Sequence, residues 1–387
     1  MKLRPCLPIF SSPESPPPSK LPVISDSVSV SDTTTKTRDL FPATVALTVS
    51  HLPLPKPPSD VKLLAVHNHL LYAATGNLIH VIDTSSFSLL DTFRVAEPVK
   101  SVAFSNGKLY TAHQDHKIRV WKLSERKRHV RIATLPTFED RLLRSVSPKN
   151  YVNVRRHRKK LWIEHHDAVS GLAFVSDRFM CSVSWDKCLK IWRTTNLRCV
   201  QSVKAHDDAV NAVVMAADGT IYTGSADRRI KMWRKTRKYA LFATLEKHKA
   251  AVNALALNDD GSLLFSGGCD RVIIVWSKAH GSNGMVVDEI LRGHCKAILC
   301  LINVSNLLFS GSADRTVRVW QRGCEGKMYC LKVVDGYEKP VRSLVADDAS
   351  SFETSYKSVT RVFSESCNGA IRVITIKSSM IEKNVFG

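Results

Sequence analysis

The chain of 387 residues lacks the cysteine spacing of a metal site. Ten cysteines are present, but none forms a C-x-x-C unit, and no pair of C-x-x-C or H-x-x-x-H units is available to hold zinc. Apolar runs are short, and none approaches the roughly 20 residues needed to cross a bilayer, so no membrane contact is expected. Met1–Phe10 is interrupted by Pro5 and Pro8, which argues against a secretory signal. No Gly-rich loop leads from a strand into a helix, as a phosphate cradle requires. Acidic residues are outnumbered: 35 Asp and Glu against 56 Lys and Arg give a formal charge of +21, with a pI near 9.7. That balance points to acidic partners, whether protein, nucleic acid or an anionic surface. The expectation is an intracellular protein, in cytoplasm, nucleus or both, with reduced and mostly packed thiols.

Proline is concentrated at one end. Twelve of the sixteen prolines fall in the first 58 residues. The stretches "SSPESPPPSK" (11–20) and 25–37 have no helical period and few large apolar residues. Residues 1–40 are therefore expected to be a disordered tail. Ser12-Pro13 and Ser15-Pro16 in it are candidate phosphorylation sites.

From residue 41 short apolar runs alternate with turn residues. Five segments repeat one pattern: Ser or Thr, then Asp four residues on, then Trp six further. They are Thr111–Asp115–Trp121, Ser182–Asp186–Trp192, Thr223–Asp227–Trp233, Ser266–Asp270–Trp276 and Ser310–Asp314–Trp320. Degenerate copies have Tyr72, Gly76 and Ile82, and Ser364, Asn368 and Ile374. A histidine precedes four of the units. His165, His206, His248 and His294 each lie four residues before an apolar strand start and 20 to 22 before their Asp. A unit of this size cannot bury both faces of its sheet alone, so several must pack around an axis. His can bridge Asp to the hydroxyl, and the Trp N–H can donate into the same chain. Such a network is stable only when every member is satisfied, which explains why the four residue types recur together.

This register resembles that of WD40-repeat β-propellers over roughly residues 43–376. One departure is plain: no repeat Trp is followed by Asp, and the single Trp-Asp pair, Trp185-Asp186, is in another register. Within that family the segment 135–162, "LPTFEDRLLRSVSPKNYVNVRRHRKKLW", resembles plant JINGUBANG-like proteins. That likeness implies a plant regulatory scaffold with a role in pollen or other developmental, transcriptional control.

Turn positions at 76, 115, 186, 227, 270, 314 and 368 predict an all-β, seven-bladed propeller over 41–376. The strand-like "ATVALTVS" (43–50) is expected to complete the last blade and close the ring. Residues 377–387 read as a C-terminal tail. Residues 136–160 read as a basic insertion between blades, after an outer strand at 130–135. The segment 122–164 carries 13 basic and 4 acidic residues, a net +9. Within it Arg155, Arg156, Arg158, Lys159 and Lys160 form a candidate nuclear signal or basic patch.

Ser, His and Asp invite comparison with a hydrolase, but a catalytic site is not built four times with a structural Trp in each copy. Neither an enzyme nor a bound cofactor or metal is expected. The expected activity is protein binding, at a rim formed by Trp185, Gln114, Asp167, Asp208, Lys249 and Lys296, with the insertion as a second grip. Trp185 is the large aromatic there that the fold does not demand, and such residues often dominate interface energy. The alternative is nucleic-acid association through the insertion. A cullin-type ubiquitin ligase receptor ranks lower, because no repeat Trp is followed by the Asp and Arg that such receptors carry.

Overall fold

Runs of five to ten residues alternate apolar and polar side chains between turns, the period that puts one face of a strand inward. In the computed structural model these runs form seven four-stranded antiparallel sheets. The structure describes residues 45–52, 61–124, 128–155, 158–279, 284–323, 325–349, 357–366 and 371–379. The expected tail of residues 1–40 lies outside them, as do Asn368 and Cys367.

Blades 1 to 6 are four-strand meanders over residues 61–94, 99–135, 169–204, 210–246, 252–291 and 298–334. Blade 7 combines Val341–Ala349, Lys357–Ser366 and Ile371–Ser379 with the N-terminal strand Val45–His51. That strand pairs antiparallel with the last one, Val45 opposite Ser378 and His51 opposite Arg372. The ring is thus closed by sheet hydrogen bonds between the two ends of the chain. The last strand runs to Ser379, beyond residue 376, where the sequence pattern fades.

The first strands of neighbouring blades face one another around the axis, blade 7 returning to blade 1. Leu64 N–H donates to Ser343 Oγ across that junction (2.9 Å). Each first strand opens on a buried Val or Ile; Val61, Val169, Val210, Val252, Ile298 and Val341 have no exposed surface. The core is therefore a series of apolar layers between blades rather than one central cluster.

Close approach between blades explains the glycine after the repeat Ser or Thr. A Cβ on Gly267 would meet Ile298 Cγ2 at 2.5 Å, and one on Gly311 would meet Cys300 Sγ at 2.5 Å and Val341 Cγ1 at 2.8 Å. Blade 3 has Val183 at this position. Its cross-strand partner is Gly171, where blades 4, 5 and 6 have Ala212, Ala254 and Cys300. Volume is exchanged within the pair. Gly311→Ala is therefore expected to cost about 1–3 kcal/mol through overpacking, read from the denaturation midpoint. No change would mean that the interface has slack there.

The insertion holds a helix, α1 (Phe138–Ser145), a short 3-10 turn and a hairpin of Tyr151–Arg155 with Arg158–Leu161. One expectation needs correction: the thiols are not mostly packed. Of seven described free cysteines, Cys181 and Cys199 are buried, while Cys269, Cys295 and Cys330 are exposed. The outer strand of blade 2, His129–Leu135, falls where the sequence puts it.

Candidate functional site

In blades 3 to 6 the repeated residues form one chain of hydrogen bonds. In blade 3, Trp192 Nε1–H donates to Ser182 Oγ, Ser182 Oγ meets His165 Nε2, and His165 Nδ1 meets Asp186 Oδ2, each at 2.8 Å. Thr223, His206, Asp227 and Trp233 repeat this, as do Ser266, His248, Asp270 and Trp276, and Ser310, His294, Asp314 and Trp320, all at 2.8–2.9 Å.

The proton order follows from the ends. Indole N–H can only donate, so the hydroxyl accepts from it and donates onward to Nε2. The imidazole is then neutral, with its proton on Nδ1 facing the carboxylate. Asp186 also accepts from the backbone N–H of His166 (2.9 Å) and Cys188 (3.0 Å). Burial works against its charge, but His165 and these N–H donors outweigh it and hold the carboxyl far below the usual range. Burial pushes His165, His206 and His294 below the usual imidazole value, although each paired carboxylate pulls the other way. The geometry resembles a charge-relay triad, yet Ser182, Thr223, Ser266 and Ser310 have no exposed surface. Each hydroxyl oxygen already accepts an indole N–H. No carbonyl can reach it, so the arrangement stabilises the fold.

The turn Asp and the loop after the His meet at one end of each blade. Backbone bonds tie Gln114 to Pro98, Trp185 to Ala168, Ala226 to Ala209, Cys269 to Ala251 and Ala313 to Ala297. These turns and loops form the rim. Asp167 and Asp208 cap their own loops by accepting from Ala168 and Ala209 N–H. Lys249 and Lys296 are exposed in the loops of blades 5 and 6, and Gln114 is half-buried. Trp185 is half-buried too, with Lys100 Nζ of blade 2 lying 5.1 Å from its ring centroid. One side of the indole therefore serves the fold as a cation–π partner.

Lys100 belongs to a set the repeat pattern did not reveal. Every first strand bulges just after its opening Val or Ile, so at the mouth of the central channel around the axis one residue drops out of the strand register, or two in blade 7, where Ser343 follows. In blades 3, 4 and 5 that residue is Ser170, Asn211 or Asn253, and its side chain donates to the opening carbonyl of the next blade at 2.5–2.9 Å. In blade 6 it is Leu299. In the three consecutive blades 7, 1 and 2 it is Arg342, Lys62 or Lys100. Burial pushes the Lys100 ammonium down, and the charges of Arg342 and Lys62 add to the shift. The carboxylates in the loops entering blades 2 and 7 are Glu97, Asp335 and Glu338. The signal was available as Val-Lys or Val-Arg at 61, 99 and 341.

Residues 158–193, 197–234, 240–277 and 286–321 each match the family described as WD domain, G-beta repeat. Each takes in the first three strands of one of blades 3 to 6, the four that hold the complete network, and the last three matches begin in the outer strand of the preceding blade. These blades are WD40 repeats. No curated protein matches the chain. WD40 propellers generally act as scaffolds that bind other proteins. Among the described residues no helix is long and apolar enough to cross a membrane, and no cluster of His, Cys, Asp and Glu is grouped to hold a metal ion.

The other blades vary the WD40 network. Blade 2 supplies its histidine from its own second strand. His113 Nε2 meets Thr111 Oγ1 (2.7 Å), its Nδ1 meets the Glu97 carbonyl (2.8 Å), and Trp121 donates to Thr111 (2.8 Å). Its turn Asp115 pairs instead with Arg119 through two bonds. In blade 7 Tyr337 takes the histidine's place, its hydroxyl 2.6 Å from Ser364 Oγ. Tyr337 lies four residues before Val341, the same offset as the repeat histidines, so the substitution was legible.

The insertion sits against the outer edge of blade 3. Thr137 caps α1 by accepting from Asp140 N–H, the cap that "TFED" spells. Asp140, 2% exposed, accepts from Cys199 N–H (3.2 Å), and Arg144 donates to the Cys199 carbonyl (3.0 Å). Together they take the place of a neighbouring strand at a bulged edge. Of the basic run, Lys159 is exposed and Lys160 half-buried in the hairpin. Arg156 lies outside the described residues, as do the side chains of Arg155 and Arg158.

Proposed function

We propose that this propeller is a non-catalytic scaffold joining proteins of a regulatory pathway in a plant cell, and that the channel mouth is its grip. The carrying observation is the asymmetric mouth: Arg342, Lys62 and Lys100 from adjacent blades, with the half-buried Trp185 beside Lys100. Three cations and an indole suit an acidic segment of a partner, the charges steering it and the ring anchoring it. Trp185, Gln114, Asp167, Asp208, Lys249 and Lys296 form the surrounding rim. The plant and developmental assignment rests on the likeness of segment 135–162 to JINGUBANG-like proteins. The run Arg155, Arg156, Arg158, Lys159 and Lys160 is a candidate nuclear signal or basic patch, and as a nuclear signal it would direct the protein to the nucleus.

Nucleic-acid binding through the insertion is less favoured. Base recognition needs displayed aromatics, whereas the Trp162 face carries the Arg144 guanidinium at 4.5 Å and its N–H is bonded to Asn150.

The test is affinity purification from plant tissue, with and without nuclease, of the wild type and of Trp185→Ala and Lys100→Glu. Protein partners should persist after nuclease. Both substitutions should weaken them at least about tenfold, or about 1.4 kcal/mol. Unchanged affinity in both variants would refute the mouth as the grip. Partners lost to nuclease would replace the protein scaffold with a nucleic-acid one.

A further inference from the structure

Helix α1 is amphipathic in the inverted sense. Its polar stripe, Asp140 and Arg144 at i and i+4, faces the propeller and is bonded to blade 3. Its apolar stripe, Phe138, Leu142 and Val146 at i, i+4 and i+8, faces out. These side chains are 78%, 57% and 83% exposed, with Leu143 beside them at 60%. Val146 and Phe138 are the two most exposed large apolar residues described. A helix normally buries its apolar stripe. Here the polar anchors fix the opposite orientation, and Arg141 adds an ion pair to Glu164 at 2.9 Å.

Beside this face lies a cleft of about 480 Å³ between α1 and blade 2, with Leu135, Pro136 and Phe138 as its apolar wall. Both carboxylates lining it are engaged within the protein, Asp115 by Arg119 and Glu164 by Arg141. Lys117 and Lys160 also line it, and nothing described neutralises them. His116, on the same wall, has a buried Nδ1 with no hydrogen-bond partner.

We propose that the outward face of α1 and this cleft form a docking site for a segment of another protein that carries apolar side chains next to carboxylates. The apolar residues would cover Phe138, Leu142 and Val146, and a carboxylate would enter the cleft toward Lys117 and Lys160. Charge excludes the occupants nearest to hand. A second copy would bring its own insertion, with eight basic and two acidic residues over 136–160, against this one. Residues 1–44 hold five basic and four acidic residues, which offers no complement. A flat anionic membrane matches the charge but cannot fill a concave cleft. This site is remote in kind from the channel mouth and does not depend on that reading.

The test is selection of displayed random peptides on the full-length protein, with each peptide then measured on Leu142→Asp/Val146→Asp and on Lys100→Glu. Both substituted positions of the double variant are exposed, so its melting temperature should match the wild type. The expected peptides combine Asp or Glu with Phe or Leu. They lose affinity at least about tenfold on the α1 variant and keep it on Lys100→Glu. A selection yielding no peptide sensitive to the α1 variant overturns the proposal, as does one yielding neutral or basic peptides. Peptides sensitive to Lys100→Glu alone would support the channel mouth and still overturn this site. Cosedimentation with vesicles of equimolar phosphatidylcholine and phosphatidylserine, lost on the α1 variant, would assign the face to lipid instead. Dimerisation lost on that variant would assign it to self-association.

Discussion

Ser182→Ala should lower the stability of the propeller by about 2–6 kcal/mol, although it removes a single oxygen. The hydroxyl is fully buried and serves both Trp192 Nε1–H and His165 Nε2. Deleting it leaves two buried polar groups without their partner, at about 1–3 kcal/mol each. Almost no cavity forms, so the packing contribution is small. Thr223→Val in blade 4 should behave alike, because valine keeps the shape of threonine and loses only the hydroxyl. Ser364→Ala in blade 7 should cost less, since its side-chain partner is the Tyr337 hydroxyl alone. The measurement is denaturant unfolding at constant slope. A double-mutant cycle with Trp192→Phe isolates the network. Ser182→Ala should cost less in the Trp192→Phe background, where no indole N–H remains to be stranded, with a coupling of about 1 kcal/mol or more. Strict additivity, or a single-variant loss below about 0.5 kcal/mol, a surface-like effect, would mean that packing rather than the network holds the blade.

Those same residues made most of the fold readable. A motif that must satisfy itself internally recurs at fixed spacing, so six described turns, at 76, 115, 186, 227, 270 and 314, and the closing N-terminal strand could be located from sequence. What stayed hidden was chemistry that satisfies the same need differently. His113 replaces a loop histidine from within its own strand, at a position where blades 3, 4 and 6 have Ser184, Ser225 and Ser312. Tyr337 does the same work with a phenol. The channel-mouth cations were missed because a bulge, not a period, selects them: Lys62, Lys100 and Arg342 look like ordinary outward residues until the pairing register is known. Helix α1 was missed because its apolar residues do not face a core, so the pattern that normally announces a helix pointed the wrong way. Its cap at Thr137 and its i, i+4 pair Asp140–Arg144 were the available signals.

Acid should unfold this propeller in a window set by its buried histidines rather than by its carboxylates alone. Burial brings His113 down to about 4, with Arg119 lowering it further and the Glu97 carbonyl and Asp115 opposing. It also lowers His165, His206 and His294. An unfolded histidine titrates near pH 6.5. Below that value the unfolded chain binds protons that the folded chain refuses, so stability falls as pH falls. The contribution is fully present above about pH 6.5 and is lost on the way down, for His113 over the span to about 4. That span corresponds to about 3 kcal/mol from this residue, at about 1.4 kcal/mol per pH unit for each proton taken up. The turn carboxylates Asp186, Asp227, Asp270 and Asp314 are also depressed. Their contribution is present above the ordinary carboxylate value and is lost only below it, so it deepens the fall at lower pH. Unfolding free energies measured from about pH 7 to 5 should therefore drop steeply. His113→Gln, less stable at neutral pH, should show a slope shallower by up to one proton, about 1.4 kcal/mol per pH unit. A wild-type stability that is flat across that range would show that the histidines accept a proton in place. The proton order from indole to hydroxyl to imidazole to carboxylate would then be wrong.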